Sequence, residues 1–214
     1  MNANPRTIDR GRGRPSDTES GVLQEQILDA AEHLFSDRGF SATPVREVAS
    51  QAGVNPALVH YYFGNKSGLL EAVMDRALLP IAARIAAMKE AGPISAQQFT
   101  ALFFEMSARH PAMPRLVVRE VMLSGGDTRE LFVEKYAPRL GGALPGILAS
   151  EQQRGNVDPE FDPANAALML MSLCMFPLIA RPVAEAGLGV DYSDEGRQRY
   201  LAQINRLLEK GISP

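Results

Sequence analysis

From Val22 onward, apolar residues recur at helical spacing. Leu23, Ile27, Ala30, Ala31 and Leu34 form one stripe, Phe35 widens it, and Gly39 is placed to end the helix in a left-handed cap. A short second helix is predicted over 44–51, with Thr43 as its cap and Pro44 in the first turn, where no amide donor is needed. Asn55-Pro56 repeats that signal, so a third helix starts there and runs to Phe63, where Gly64-Asn65 break it. Further helices are expected near 66–90, 95–109, 112–124, 127–153, 162–186 and 193–210. Gly92-Pro93, His110-Pro111, Gly125-Gly126 and Gly155-Asn156 separate them. Pro80 should kink the fourth helix. No alternating strand pattern of useful length occurs, so the fold class is all-α. Three regions are expected: an arm over 1–20, a three-helix unit over 21–66, and a larger helical region over 67–214.

The second and third helices carry a steric code. With Val45 as position one, Ala49 is the small residue where two helices cross. Gly53 is the turn residue that tolerates positive φ. Val48, Val54, Val59 and part of Tyr62 can pin the second helix of the unit onto the first. This is the pattern of a helix-turn-helix running from Thr43 to Phe63. An ordinary helical hairpin that touches no DNA is the plainer alternative. In the DNA-binding reading, Asn55, Pro56, Ala57, His60 and Tyr61 point away from the apolar stripe toward base edges and phosphates. Asn55 can cap its own helix, contact a phosphate, or both. Leu58 and Tyr62 are open between packing and contact. Lys66 opens the next helix, where a cation opposes the local dipole and a phosphate would compensate. Arg46 is a further contact candidate.

Composition narrows the picture. The 214 residues are 45% apolar and carry a net charge of −3, so any nucleic-acid contact must rest on local features. The arm supplies one: Arg12-Gly13-Arg14-Pro15 is a compact basic run, and residues 1–16 hold four arginines against one aspartate. Arginines on a glycine-rich backbone suit a narrow minor groove, with a solvated tail as the alternative. The single cysteine, Cys174, excludes an internal disulfide, and no secretory pattern opens the chain, so the cytoplasm is the expected compartment. The charge-free run from Ala164 to Ala180 is slightly short of the ~20 residues of a membrane span, and a buried helix, with no membrane partner, is expected.

The run ILDAAEHLFSDRGFSATPVREVASQAGVNPALVHYYFGNKSGLL, Ile27 to Leu70, resembles the DNA-binding domain of TetR-type regulators. The matching residues are Ala30-Ala31, Leu34-Phe35, Gly39-Phe40, Thr43, Val48-Ala49, Ala52-Gly53-Val54, Tyr62-Phe63, Lys66 and Leu69-Leu70. The YYFGNK ending and the later RLVVREVM segment look like the CecR-type branch. The resemblance implies an all-helical dimer that binds DNA through its first three helices and a small molecule through the rest. It also implies that Thr43, Arg46, Tyr61, Tyr62 and Lys66 face DNA. His60 departs from the family, where tyrosine is common; a protonated imidazole there would make DNA binding pH-sensitive.

In the C-terminal region, Asp162-Pro163 opens a helix that is apolar nearly all round, so it must be buried on more than one face. Leu168 and Met175, with the stripe Tyr200, Ile204, Leu207 and Leu208 of the last helix, are expected to build a two-fold interface. Phe103, Met106, Met122, Met171 and Met175, with Phe99, Leu102, Leu116 and Val117, are candidates to line an apolar effector pocket, and ordinary core is the alternative for each. Arg119 or Glu120 could turn inward to fix an effector or pair with neighbours. No cofactor or metal is expected. Scattered histidines, no phosphate loop and no nucleophile elbow argue against an enzyme. The function expected is a ligand-released repressor acting as a dimer on a pseudo-palindromic operator. A DNA-binding protein of the same fold without an effector is the alternative.

Overall fold

The computed structural model describes residues 17–211, and within them every regular element is helical. Helix α1 spans Asp17–Arg38, α2 Val45–Gln51, α3 Pro56–Phe63, α4 Lys66–Ala91 and α5 Ala96–Arg109. Then follow α6 (Met113–Leu116), α7 (Gly126–Leu131), α8 (Leu144–Gln153), α9 (Pro163–Ile179), α10 (Arg181–Leu188) and α11 (Asp194–Gly211). Helix α1 starts at Asp17, inside the expected arm. Arg12 and Arg14 lie outside the described residues.

Three expected helices come out differently. The 112–124 helix is α-helical only to Leu116 and widens into a π-helical stretch over Val117–Leu123. The 127–153 helix is broken: α7 continues as a π-helical turn over Phe132–Tyr136, and two 3-10 turns lead into α8. Pro138, the Gly141-Gly142 pair and Pro145 explain the break, because prolines remove amide donors and paired glycines raise the entropy cost of a helix. The 162–186 helix divides at Ala180 into α9 and α10, which are bent by 78°. Pro182, in the first turn of α10, has no amide to continue the hydrogen-bond ladder of α9, so a new helix starts there. No single described helix is long and apolar enough to cross a membrane.

Local signals fix the remaining ends. Ser95 and Gln98 form a reciprocal capping box on α5, and Asp162 accepts the Asn165 amide at 2.8 Å to start α9. The three-helix unit closes on Ile27, Ala31, Phe35, Val48, Ala49 and Val59, and its core runs without a gap into Leu69, Leu70 and Val73 of α4. Helices α1 and α4 are also bound by Arg76, whose guanidinium donates to Glu25, Asp29 and the buried Glu32. His110 Nδ1 lies 3.1 Å from the same Glu32 carboxylate.

Candidate nucleic-acid interface and effector cavity

The helix-turn-helix is assembled from its steric code. Ala49 and Val48 are fully buried and Val59 is 1% exposed, so α3 packs tightly on α2. Gly53 adopts φ +68°, and the turn closes through the Val54 amide on the Ala49 carbonyl at 2.9 Å. Asn55 caps α3 by accepting the Ala57 amide at 2.9 Å. Five residues of α3 and its cap face solvent together: Asn55, Pro56, Ala57, His60 and Tyr61. Tyr61 is 62% exposed, so both its ring and its hydroxyl are open to a partner. His60 Nδ1 lies 3.1 Å from the Gly64 carbonyl, which leaves Nε2 facing outward. Arg46 on α2 is exposed beside them.

Three residues expected at this surface are placed otherwise. Thr43 is fully buried and neither caps α2 nor faces outward. Its hydroxyl donates to the Gly39 carbonyl at 2.8 Å, which ties down the end of α1. Tyr62 is half-buried, stacks edge-on between Tyr61 and Phe63, and its hydroxyl accepts from Ser20 at 3.0 Å. Lys66 turns back onto the α1–α2 corner. Its ammonium donates to the Ser41 carbonyl at 3.3 Å and sits 4.5 Å from the Phe40 ring centre. Desolvation lowers its pKa, partly offset by the charge of Glu120.

The C-terminal helices enclose a cavity of about 630 Å³ whose walls are almost wholly apolar. Of the residues expected there, Phe99, Phe103, Met106, Val117, Met122, Met171 and Met175 line it, whereas Leu102 and Leu116 do not. Helix α4 contributes Leu78, Ile81 and Ile85, a stripe whose spacing of three and four was readable in the sequence. A volume of this size fits a drug-sized molecule.

Arg119 does not line the cavity. Its guanidinium donates to the carbonyls of Asp37 at 2.9 Å and Arg38 at 2.7 Å, at the C-terminus of α1, where a cation complements the helix dipole. The adjacent Glu120 is 6% exposed and accepts the Phe40 amide at 3.0 Å. The π-helical stretch therefore has two working sides. Val117 and Met122 face the cavity, and Arg119 and Glu120 grip the corner from which α2 departs.

The expected interface residues also divide. Ile204 and Leu208 are buried inside the protomer, at 3% and 7% exposure, and Tyr200 donates to the Leu173 carbonyl and packs on Phe104. Met175 is half-buried in the cavity wall. Ile204 and Leu208 are therefore occupied within the protomer, and Tyr200 and Met175 are partly so. Leu168 and Leu207 do point outward, 68% and 53% exposed, joined by Met169 and Phe176.

Residues 27–73 match the model described as bacterial regulatory proteins, tetR family, and residues 95–211 match the tetracyclin repressor-like C-terminal domain. The chain is 25% identical over 194 residues to the HTH-type transcriptional repressor NicS of Pseudomonas putida, covering 88% of this chain and 92% of that protein. It is 29% identical over 203 residues to the HTH-type transcriptional regulator RutR of Escherichia coli, covering 89% and 91%. Among solved structures, the ketosteroid transcriptional regulator KstR2 of Mycobacterium tuberculosis superimposes with a TM-score of 0.73 at 18% identity, covering 96% and 100% of the two chains. The fatty acid degradation regulator FadR from Bacillus halodurans gives 0.64 at 17% identity, over 88% and 98%.

Proposed function

The chain belongs to the tetR family of bacterial regulatory proteins, and from that premise we propose that it is a dimeric repressor of a pseudo-palindromic operator, released by a small apolar effector. It is a transcriptional regulator with a helix-turn-helix, as its relatives are. The observation that carries the finer reading is the double engagement of the stretch Val117–Leu123. One side walls an apolar cavity and the other holds the DNA-binding unit by Arg119 and Glu120.

In this reading residues 17–66 bind DNA, with the preceding arm reaching the minor groove through Arg12 and Arg14. The N-terminal part of α3 enters the major groove. Ala57 lets the backbone approach or meets a thymine methyl, Tyr61 and His60 donate to phosphate or base edges, and Asn55 and Arg46 contact the backbone. Lys66 gives one ammonium proton to the Ser41 carbonyl and keeps two for a phosphate. The remaining helices hold the effector and the partner.

An effector in the cavity displaces Val117 and Met122 and moves Arg119 and Glu120 with them. The grip on α1 then changes, and the two recognition helices leave the ~34 Å separation of successive grooves. Only a difference in effector affinity between the two states can drive this. A cytoplasmic site of action follows from chromosomal DNA as target. An operator selection with purified protein, repeated with apolar effectors, tests the reading: sequence-selective binding at moderate salt, weakened by an effector, is expected. Absence of selective binding overturns it.

A further inference from the structure

None of the described residues that line the effector cavity carries a charge. The charged side chains on the neighbouring segments do not reach it and are already partnered. Arg119 and Glu120 hold the end of α1 and the corner after it. Lys135 pairs with Glu71 and Asp75 of α4, and the Tyr136 hydroxyl donates to the same Asp75 at 2.7 Å. Arg84 on α4 pairs with Glu105 on α5. Arg129 donates to the carbonyls of Val121 at 2.9 Å and Met122 at 2.8 Å. We propose that the cavity selects its effector by charge: it admits uncharged molecules of several skeletons and rejects those that carry an ionised group. The proposal rests on the effector-binding reading above and narrows it, because amphiphiles with a carboxylate, sulfonate or ammonium head are excluded.

The exclusion follows from solvation. An ion that leaves water for a site without a counter-ion loses its hydration and gains no partner, which costs orders of magnitude in affinity. A head group left at the opening finds no cation or anion there either, because the large lining residues most open to solvent, Leu168, Phe176 and Met122, are apolar. The lining holds one side-chain hydroxyl, that of Ser172, which donates to the Leu168 carbonyl at 2.8 Å. It therefore offers an effector lone pairs and no proton, so a neutral hydroxyl can donate to it and an anion meets only oxygen. Five of the lining residues are methionines and four are phenylalanines. Methionine stems adapt to many outlines, so these walls discriminate weakly by shape and strongly by charge.

Two dyes that share one ring skeleton test the selection. N-phenylnaphthylamine is neutral, and anilinonaphthalene sulfonate adds an anionic group. At about pH 7.5 both sulfonates and carboxylates are ionised. The wild type should bind the neutral dye and take the sulfonate at least about a hundredfold more weakly, read by equilibrium dialysis as displacement of the neutral dye. Decanol should displace the neutral dye and decanoate should not, which repeats the contrast on an aliphatic chain. Met122→Lys places a cation on a lining residue that is 57% exposed, so the fold should hold, with circular dichroism as the check. That variant should bind the sulfonate about tenfold more tightly than the wild type does. A wild type that binds the two dyes within about tenfold of each other, or that takes decanoate as well as decanol, overturns this inference and leaves the effector reading intact. A folded Met122→Lys protein with unchanged affinity for the sulfonate also overturns it, because a missing counter-ion is then not what excludes the anion. A wild type that binds neither the neutral dye nor decanol overturns the underlying reading instead.

Discussion

The Glu120 carboxylate accepts the backbone amide of Phe40 at 3.0 Å, joining positions 80 residues apart across the boundary between the DNA-binding helices and the effector helices. Phe40 lies in the corner between α1 and α2, and Glu120 lies on the stretch that walls the cavity. Glu120→Ala leaves the amide without this acceptor. A loss of about 1–3 kcal/mol is expected, a Tm shift of several degrees in a chain of this size. The effector should then change operator affinity less than in the wild type. An unchanged effector response, measured by fluorescence anisotropy on operator DNA, removes the coupling role.

Gly39 and Gly53 should respond differently to alanine. Both have positive φ, +91° and +68°, so each substitution costs about 1–2 kcal/mol of backbone strain. At Gly53 an added Cβ meets nothing within 4 Å, so strain is the whole effect. At Gly39 it comes within 2.7 Å of the Arg119 guanidinium and pushes that side chain off the α1 carbonyls. Thermal melts should show Gly39→Ala as the larger loss, and Gly39→Ala alone should blunt the effector response. Equal effects at the two sites would show that the Arg119 contact is idle.

Tyr61 and Tyr62 are adjacent and should separate function from stability. Tyr61→Ala removes an exposed ring, so Tm should change little while operator affinity falls by tenfold or more, on the order of one good DNA contact. Tyr62→Phe loses the hydrogen bond from Ser20 and should lower stability by about 1 kcal/mol with little effect on DNA binding. The reverse pattern would exchange their roles.

His60 should contact DNA through its outward edge. Its Nδ1–H donates to the Gly64 carbonyl, which orients the exposed ring on α3. His60→Ala should therefore lower operator affinity by about tenfold with little change in Tm. Unchanged affinity would exclude a contact from this side chain.

Cys174 should be inert. Burial pushes its thiol up to about 12, and its side chain is fully enclosed. Alkylation by iodoacetamide near pH 8 should be absent in the native protein and appear in denaturant. Rapid labelling of the native protein would mean that α9 opens locally.

The scaffold of the helix-turn-helix was legible because its code is local. Ala49, Gly53 and Asn55 act on neighbours a few residues away. Thr43 was misread because a threonine before a proline-led helix looks the same whether its hydroxyl caps forward or reaches back to Gly39. Leu207 and Leu208 show a second limit. One residue is 100° of helix rotation, and a stripe of leucines does not tell which of its edges meets the protomer's core and which the partner. Arg119 and Glu120 stood out as polar residues in an apolar run, but their partners lie some 80 positions away and only the fold brings them together.

The π-helical stretch from Val117 to Leu123 has a consequence for how sequences of this fold can vary in length. Both sides of the stretch are committed, one to the cavity and one to α1. Inserting or deleting a single residue there turns everything beyond it by roughly a quarter turn. Such a change cannot preserve both contacts. Just beyond Leu123, the Gly125-Gly126 corner has positive φ at both positions and sits at the surface, where added residues cost little. Functional relatives should therefore gain and lose residues at that corner and keep a fixed count from Val117 to Leu123.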